Sequence, residues 1–357
     1  MQKTEPGVWS KRKASTFWVT LALAALFISL AGTHVAQAST NSSTVVVTDG
    51  LGRTVELTTP IRRVVISYPI ATELLFALGG QDTIVGIDSP SQKSEFLNSL
   101  KPNLATTICV GGPRDLNIEQ AIALEPDLWL ISRSEELVEG LEARGIKNIF
   151  AVKAEDLDQL RSSMENLGKA FGKEEQAKVF TSYYDKTLET VAEIASDLKE
   201  EEKPLVYVVG RDGLLSTCGT DMYQQSVIDL VGGRNAGASE EVSDIARGWF
   251  TVSPEQIIKW DPDFILVVQY AADVTPEDVL NDPRFQGVSA VRNKRVFWFP
   301  SNLQSWDYPS PQAVLGVKWL AQLLHPDKFV DFDVEKDADE LFLSLYGKSF
   351  TELGGTF

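Results

Sequence analysis

Two stretches of this chain repeat one another, and that repetition limits what it can fold into. Asn117-Ile-Glu-Gln-Ala-Ile-Ala-Leu-Glu-Pro-Asp-Leu-Trp-Leu-Ile131 and Ser253-Pro-Glu-Gln-Ile-Ile-Lys-Trp-Asp-Pro-Asp-Phe-Ile-Leu-Val267 match in residue type at nearly every position. Each reads as a short helix, a Pro-Asp break and a buried strand. A chain that builds this unit twice builds two similar lobes. Between the copies, Lys173 to Lys203 contains no Pro or Gly. Ala177, Phe180, Tyr184, Leu188, Val191, Ile194 and Leu198 recur there at spacings of three and four, which lays one apolar stripe along a helix. Uninterrupted, that helix would be about 40 Å long. The expectation is two lobes joined by one stiff helix.

The rest of the chain alternates short strands and helices. Val45-Val46-Val47 and Thr54 to Leu57 flank a turn at Thr48 to Arg53, a hairpin signal. Strands are expected at 63–67, 83–87, 107–110 and 127–131, and again at 205–209, 264–268 and 296–299. Helices fall at 71–78, 118–124, 225–230, 254–260 and 311–324, the last packing back on the second lobe. This alternation indicates parallel α/β lobes. The expected division is 1–38 as leader, 39–155 as N-terminal lobe, 156–203 as helical connection and 204–357 as C-terminal lobe.

Lys11, Arg12 and Lys13 precede an apolar run from Phe17 to Ala31, and Ala36-Gln37-Ala38 supplies a cleavage pattern. This is the form of a secretory signal peptide, so the mature protein is expected in the periplasm. Removing residues 1–38 takes away four basic residues and one acidic, moving the net charge from −17 to −20. Such acidity argues against nucleic acid and anionic lipid as partners. Cys109 and Cys218 fall in different lobes and are expected as unbridged thiols. His325 is the one histidine left after the leader, which excludes a histidine-rich metal site. No resident cofactor is expected, and the protein is expected to be a monomer.

In parallel α/β sheets, ligands sit beyond the carboxyl ends of the strands. That rule selects Tyr68, Asp88, Arg114 and Arg133 in the first lobe. In the second it selects Arg211, Tyr270 and the segment Trp306-Asp307-Tyr308, with Arg247 and Trp249 nearby. Guanidinium groups bind carboxylate, catecholate or phosphate oxygens in pairs, and aromatic rings stack on flat chelates.

The chain resembles the periplasmic substrate-binding components of ABC importers for ferric siderophores, haem and cobalamin. The motifs are Asp49-Gly-Leu-Gly-Arg-Thr-Val55, Arg63-Val-Val-Ile66 with Ala71-Thr-Glu-Leu-Leu-Phe-Ala-Leu-Gly79, the duplicated element, and Asp282-Pro-Arg-Phe285 with Ala290-Val-Arg-Asn-Lys-Arg-Val296. The likeness spans roughly residues 45 to 330. It implies two Rossmann-like lobes joined by a single helix with a ligand cleft between them. It also implies that Glu119 and Glu255 pair with arginines on a dimeric membrane permease. Haem receptors of this family place a Tyr before the Glu-containing helix, and cobalamin receptors tend to place a Trp there. Val110-Gly-Gly-Pro-Arg-Asp115 carries neither.

Enzymatic readings lack their motifs. Gly347-Lys348-Ser349 has no glycine at the spacing a phosphate loop requires, and there is no Gly-x-Ser-x-Gly elbow. The expectation is therefore a receptor for an iron chelate, a ferric siderophore, delivered to an ABC permease. Its alternatives are a cobalamin or haem receptor, an oxyanion receptor, and, from another class, an exported α/β hydrolase.

Overall fold

A computed structural model describes residues 42–239, 248–271 and 273–357. The expected leader and Arg247 lie outside the described residues. The chain opens on an antiparallel hairpin, β1 (Ser43–Thr48) with β2 (Thr54–Thr59), in register from Ser43 opposite Thr59 to Thr48 opposite Thr54. Asp49 closes its turn by accepting from the N–H groups of Leu51 and Arg53, and also pairs with the Arg53 guanidinium at 2.6 Å.

The first lobe is built on β3 (Val64–Ile66), β4 (Ile84–Ile87), β5 (Ile108–Cys109), β6 (Leu128–Ser132) and β7 (Ile149–Val152). These form one parallel sheet in the order β5-β4-β3-β6-β7. The second lobe contributes β8 (Leu205–Val209), β9 (Ser216–Cys218), β10 (Arg234–Asn235), β11 (Trp249–Thr251), β12 (Phe264–Val267) and β13 (Val296–Trp298). Its parallel sheet runs β10-β8-β12-β13, and β9 pairs with β11 as a separate antiparallel ribbon. Central strands such as Leu128–Ile131 and Phe264–Val267 are buried along their length, as expected when helices cover both faces. Both cysteines are free thiols.

The joining helix runs from Glu174 to Ser196, not to Lys203. At 23 residues it is about 35 Å long. Three consecutive glutamates follow, and carboxylates are disfavoured at the negative end of a helix dipole. Glu200–Glu202 instead form a 3₁₀ turn, with Glu202 accepting from the Lys199 N–H at 3.0 Å. Ahead of the joining helix lies a second one, Leu157–Phe171, ended by Gly172 in the left-handed conformation at φ 62°. The two pack together closely where Gly168 meets Ala177; a Cβ at 168 would lie 2.5 Å from that of Ala177.

Phe180 and Tyr184 are almost fully buried on the joining helix and belong to one hydrophobic core that extends from Val47 to Phe350, through both lobes. The helix Ala313–Leu324, expected to pack back on the second lobe, touches the helix Tyr223–Leu230 there and also packs along the joining helix. The helix Val334–Tyr346 returns to the first lobe. There Phe342 and Tyr346 meet the Phe96 ring at centroid distances of 5.7 and 5.3 Å. Gln176 bridges the carbonyls of Ala77 and Ser344 at 3.2 and 3.1 Å. The lobes are thus held by the joining helix and by a second helical layer across it. Phe180→Ala is expected to lower unfolding stability by about 3–5 kcal/mol, measured by denaturant titration. A loss below about 1 kcal/mol would mean that this ring does not anchor the shared core.

Candidate functional site

In each parallel sheet the strand order reverses at one place: between β3 and β6 in the first lobe, and between β8 and β12 in the second. Such reversals open a crevice at the carboxyl ends of the strands. Tyr68 and Arg133 leave β3 and β6 at the first reversal, and Arg211 and Tyr270 leave β8 and β12 at the second.

A cavity of about 470 Å³ lies between these ends. Tyr68, Glu155, Arg211, Tyr223, Trp249 and Tyr308 lie on its wall, together with Asp221, Gln224 and Tyr270. Trp249 and Tyr270 meet edge to face, with centroids 6.4 Å apart. The Trp249 ring lies over Gly210, where any Cβ would sit 2.2 Å from it. Gln224 Nε2 donates to Tyr270 Oη at 3.3 Å and to the Asp307 carbonyl at 2.9 Å. Burial raises the pKa of Tyr68, Tyr223, Tyr270 and Tyr308. In the unliganded protein these phenols are therefore neutral hydrogen-bond groups.

Two helix starts border the same cavity, Pro69–Ala77 from the first lobe and Tyr223–Leu230 from the second. Their N-cap residues, Tyr68 and Met222, make no side-chain cap hydrogen bond. The first-turn N–H groups of a helix have no intrahelical partner and suit an incoming oxygen.

A second chamber of about 360 Å³ adjoins the first and shares Tyr270 and Tyr308 with it. The first lobe supplies Pro69, Glu73, Ser91 and Leu97 to its wall, and the second supplies Gln304 and Ser305. Gln304 Nε2 donates to Glu73 Oε1 at 2.9 Å, a hydrogen bond between the lobes. Burial, and then the charge of Asp88, hold the Glu73 carboxyl well above its usual range. Nothing in the sequence reading singled out Glu73. A carboxylate inside the apolar run Ala71-Thr-Glu-Leu-Leu-Phe76 was the available signal.

Of the residues expected to bind ligand, Tyr68, Arg211, Trp249, Tyr270 and Tyr308 border the main cavity together. Arg133 is not among the residues lining it and forms an ion pair with Glu155, which is. Arg211 lies 3.6 Å from Asp212. Two expectations need correction. Arg114 is exposed on the turn after β5 and borders neither chamber. Trp306 is fully buried, its ring packed against Phe350 and Phe357, so it supports the core beneath the C-terminal segment. Asp88 likewise serves locally, accepting from Ser91 N at 2.8 Å and Thr72 Oγ1 at 3.0 Å. No cluster of side chains able to hold a metal ion is found among the described residues.

Residues 64–303 match the family model described as periplasmic binding protein. The chain belongs to this family. It is a periplasmic solute-binding protein of ABC importers, and that membership makes it a receptor, not a catalyst. It is 26% identical to the molybdate-binding protein MolA of Haemophilus influenzae, over 85% of this chain and 92% of that one. The structure of MolA bound to molybdate superimposes with a TM-score of 0.74 at 25% identity, covering 85% of this chain and 98% of that one. A periplasmic solute-binding protein from Veillonella parvula gives a TM-score of 0.75 at 26% identity, over 87% and 99% of the two chains. A cobalamin-binding protein of Halobacterium salinarum is 25% identical over 78% of this chain and 73% of that one.

In this binding protein Glu119 and Glu255 are both exposed in the first turns of equivalent helices. Asn117 and Ser253 cap those helices in the same way, accepting from the N–H groups of Gln120 and Gln256 at 3.1 and 3.2 Å. Hydrogen bonding to its own backbone N–H and to Ser253 holds the Glu255 carboxyl below its usual pKa.

Asp307, 1% exposed beside the cavity, is pushed up to about 6 by burial. Its folded pKa lies above the unfolded one, so stability falls as pH rises from about 4 through 6, by about 3 kcal/mol in all. Asp307→Asn is expected to remove that decline and to gain on the wild type in denaturant melts at pH 7.5 relative to pH 4.5. Parallel curves for the two proteins would contradict the assignment.

Proposed function

We propose that this binding protein captures a corrinoid, a ligand of the cobalamin class, and presents it to an ABC permease. The observation that carries this reading is the cavity wall. Five aromatic side chains, from Tyr68, Tyr223, Trp249, Tyr270 and Tyr308, face a space whose charged lining residues are Glu155, Asp221 and Arg211. Glu155 is offset by Arg133. Such a wall suits a bulky ligand of low net charge that stacks on rings and offers amide oxygens to neutral donors. Cobalamin binders are among the relatives of this chain, in Halobacterium salinarum and at 23% identity in Vibrio vulnificus.

An anionic ferric siderophore would need compensating cations in a cleft. Of the four arginines on which that expectation rested, Arg211 alone is among the described residues that line the cavity. A small oxyanion is the second reading. It is favoured by the two uncapped helix starts, by Arg211, and by the likeness to MolA. Isothermal titration separates the two. Cyanocobalamin is expected to bind at one site with a Kd below about 10 μM, and molybdate to give no heat. The reverse outcome would give the cavity to the oxyanion.

For the permease, the matched carboxylates Glu119 and Glu255 are the proposed contacts. Changing both to Ala is expected to abolish uptake in cells while leaving ligand affinity within about a factor of two, since exposed charges at a docking rim act on association with the partner. Normal uptake by the double variant would remove the docking role.

A further inference from the structure

The second chamber has no part in the reading above, yet both lobes build it and it adjoins the main cavity, with the Tyr270 and Tyr308 rings on the wall of both. Its volume of about 360 Å³ exceeds what packing between two helices and a loop leaves by default. Its lining includes no basic residue. A carboxylate or phosphate entering it would be desolvated without a cation, which costs several kcal/mol or more.

One polar side chain in this chamber is incomplete. Glu73 is 5% exposed, on a helix buried from Ile70 to Ala77. Its Oε1 accepts from Gln304 Nε2 at 2.9 Å, whereas its Oε2 is buried and has no hydrogen-bond partner among the described residues. A neutral carboxyl that accepts through one oxygen carries its proton on the other. That leaves Oε2–H as a donor that lacks an acceptor, and an unmet buried donor costs about 1–3 kcal/mol. Asp88, whose charge acts on Glu73, has both oxygens engaged by Thr72 and Ser91.

We propose that this chamber is a separate subsite that receives an uncharged, oxygen-bearing arm of the ligand, such as a primary amide or a hydroxyl, and that the Glu73 carboxyl turns its Oε2–H out of its buried place to donate a hydrogen bond to that oxygen. The proposal rests on the main cavity being the corrinoid site, because the arm belongs to the molecule held there. Glu73 and Gln304 would then read the arm and join the lobes at once. The neutral state of Glu73 is consistent with its burial and with the charge of Asp88 beside it.

The test is isothermal titration of cyanocobalamin, whose periphery carries primary amides, into wild type, Glu73→Leu and Glu73→Gln, with thermal melts of each unliganded protein. Glu73→Leu is expected to weaken binding at least about tenfold. Glu73→Gln keeps an acceptor for Gln304 and a donor toward the chamber, and is expected to recover affinity to within about threefold of wild type. If Glu73→Leu fails to fold, Ser305→Phe fills the chamber from the second lobe, leaving the buried helix in place but removing the Ser305 hydrogen bond to Asp307, and the same loss is expected. Wild-type affinity in folded Glu73→Leu or in Ser305→Phe would show the chamber empty and overturn the subsite, leaving the corrinoid reading intact. Equal weakness of the Gln and Leu variants would mean that a charged carboxylate holds a cationic group, which also overturns it. If wild type binds no cyanocobalamin, the corrinoid reading fails and the subsite fails with it.

Discussion

The burial of Phe180 and Tyr184 on the joining helix is the contact on which the rest of the molecule depends. These rings sit in a core that does not stop at the lobe boundary but continues from the first sheet to the C-terminal aromatic cluster. Moving the lobes apart would expose that surface, at about 25 cal/mol for each Å² of apolar area. The helix Val334–Tyr346 adds a second fastening through Phe96. The strand ends that form the cleft are therefore fixed before any ligand arrives. Recognition rests on preformed walls, which limits the ordering cost of binding.

Within that frame, a strongly acidic protein presents a nearly balanced cavity. The chain carries 50 acidic and 33 basic residues, yet the charged groups on the main wall are few and partly paired. Glu73, a buried acid beside it, is pushed toward its neutral form by desolvation. The phenols stay protonated for the same reason. What the walls offer is ring faces, hydroxyls and two helix starts without side-chain caps, a set suited to neutral oxygens and flat surfaces.

Much of the architecture was readable beforehand because it depends on pattern. The repeated Glu-Gln to Pro-Asp element marked equivalent helix–strand units, and strand ends pointed to Tyr68, Arg211 and Tyr270. What could not be read depends on long-range packing. Whether Trp306 faces solvent, ligand or core is settled by Phe350 and Phe357, more than forty residues away. Arg133 looked available until β7 brought Glu155 beside it. Arg114 sits at a strand end like the others, but on β5, the edge strand, far from the reversal of strand order that forms the crevice. The helix Val334–Tyr346 spaces Val334, Ala338, Leu341, Phe342 and Leu345 as an amphipathic helix does, but nothing in that stripe says that it returns to the first lobe.

The central claim is that a stacked, weakly charged ligand occupies this cleft. Native mass spectrometry of the protein isolated from the periplasm of its own cells tests it most directly. The account predicts an adduct whose mass and cobalt content are those of a corrinoid, released intact on denaturation. A ferric siderophore or a tetrahedral oxyanion in its place would contradict it.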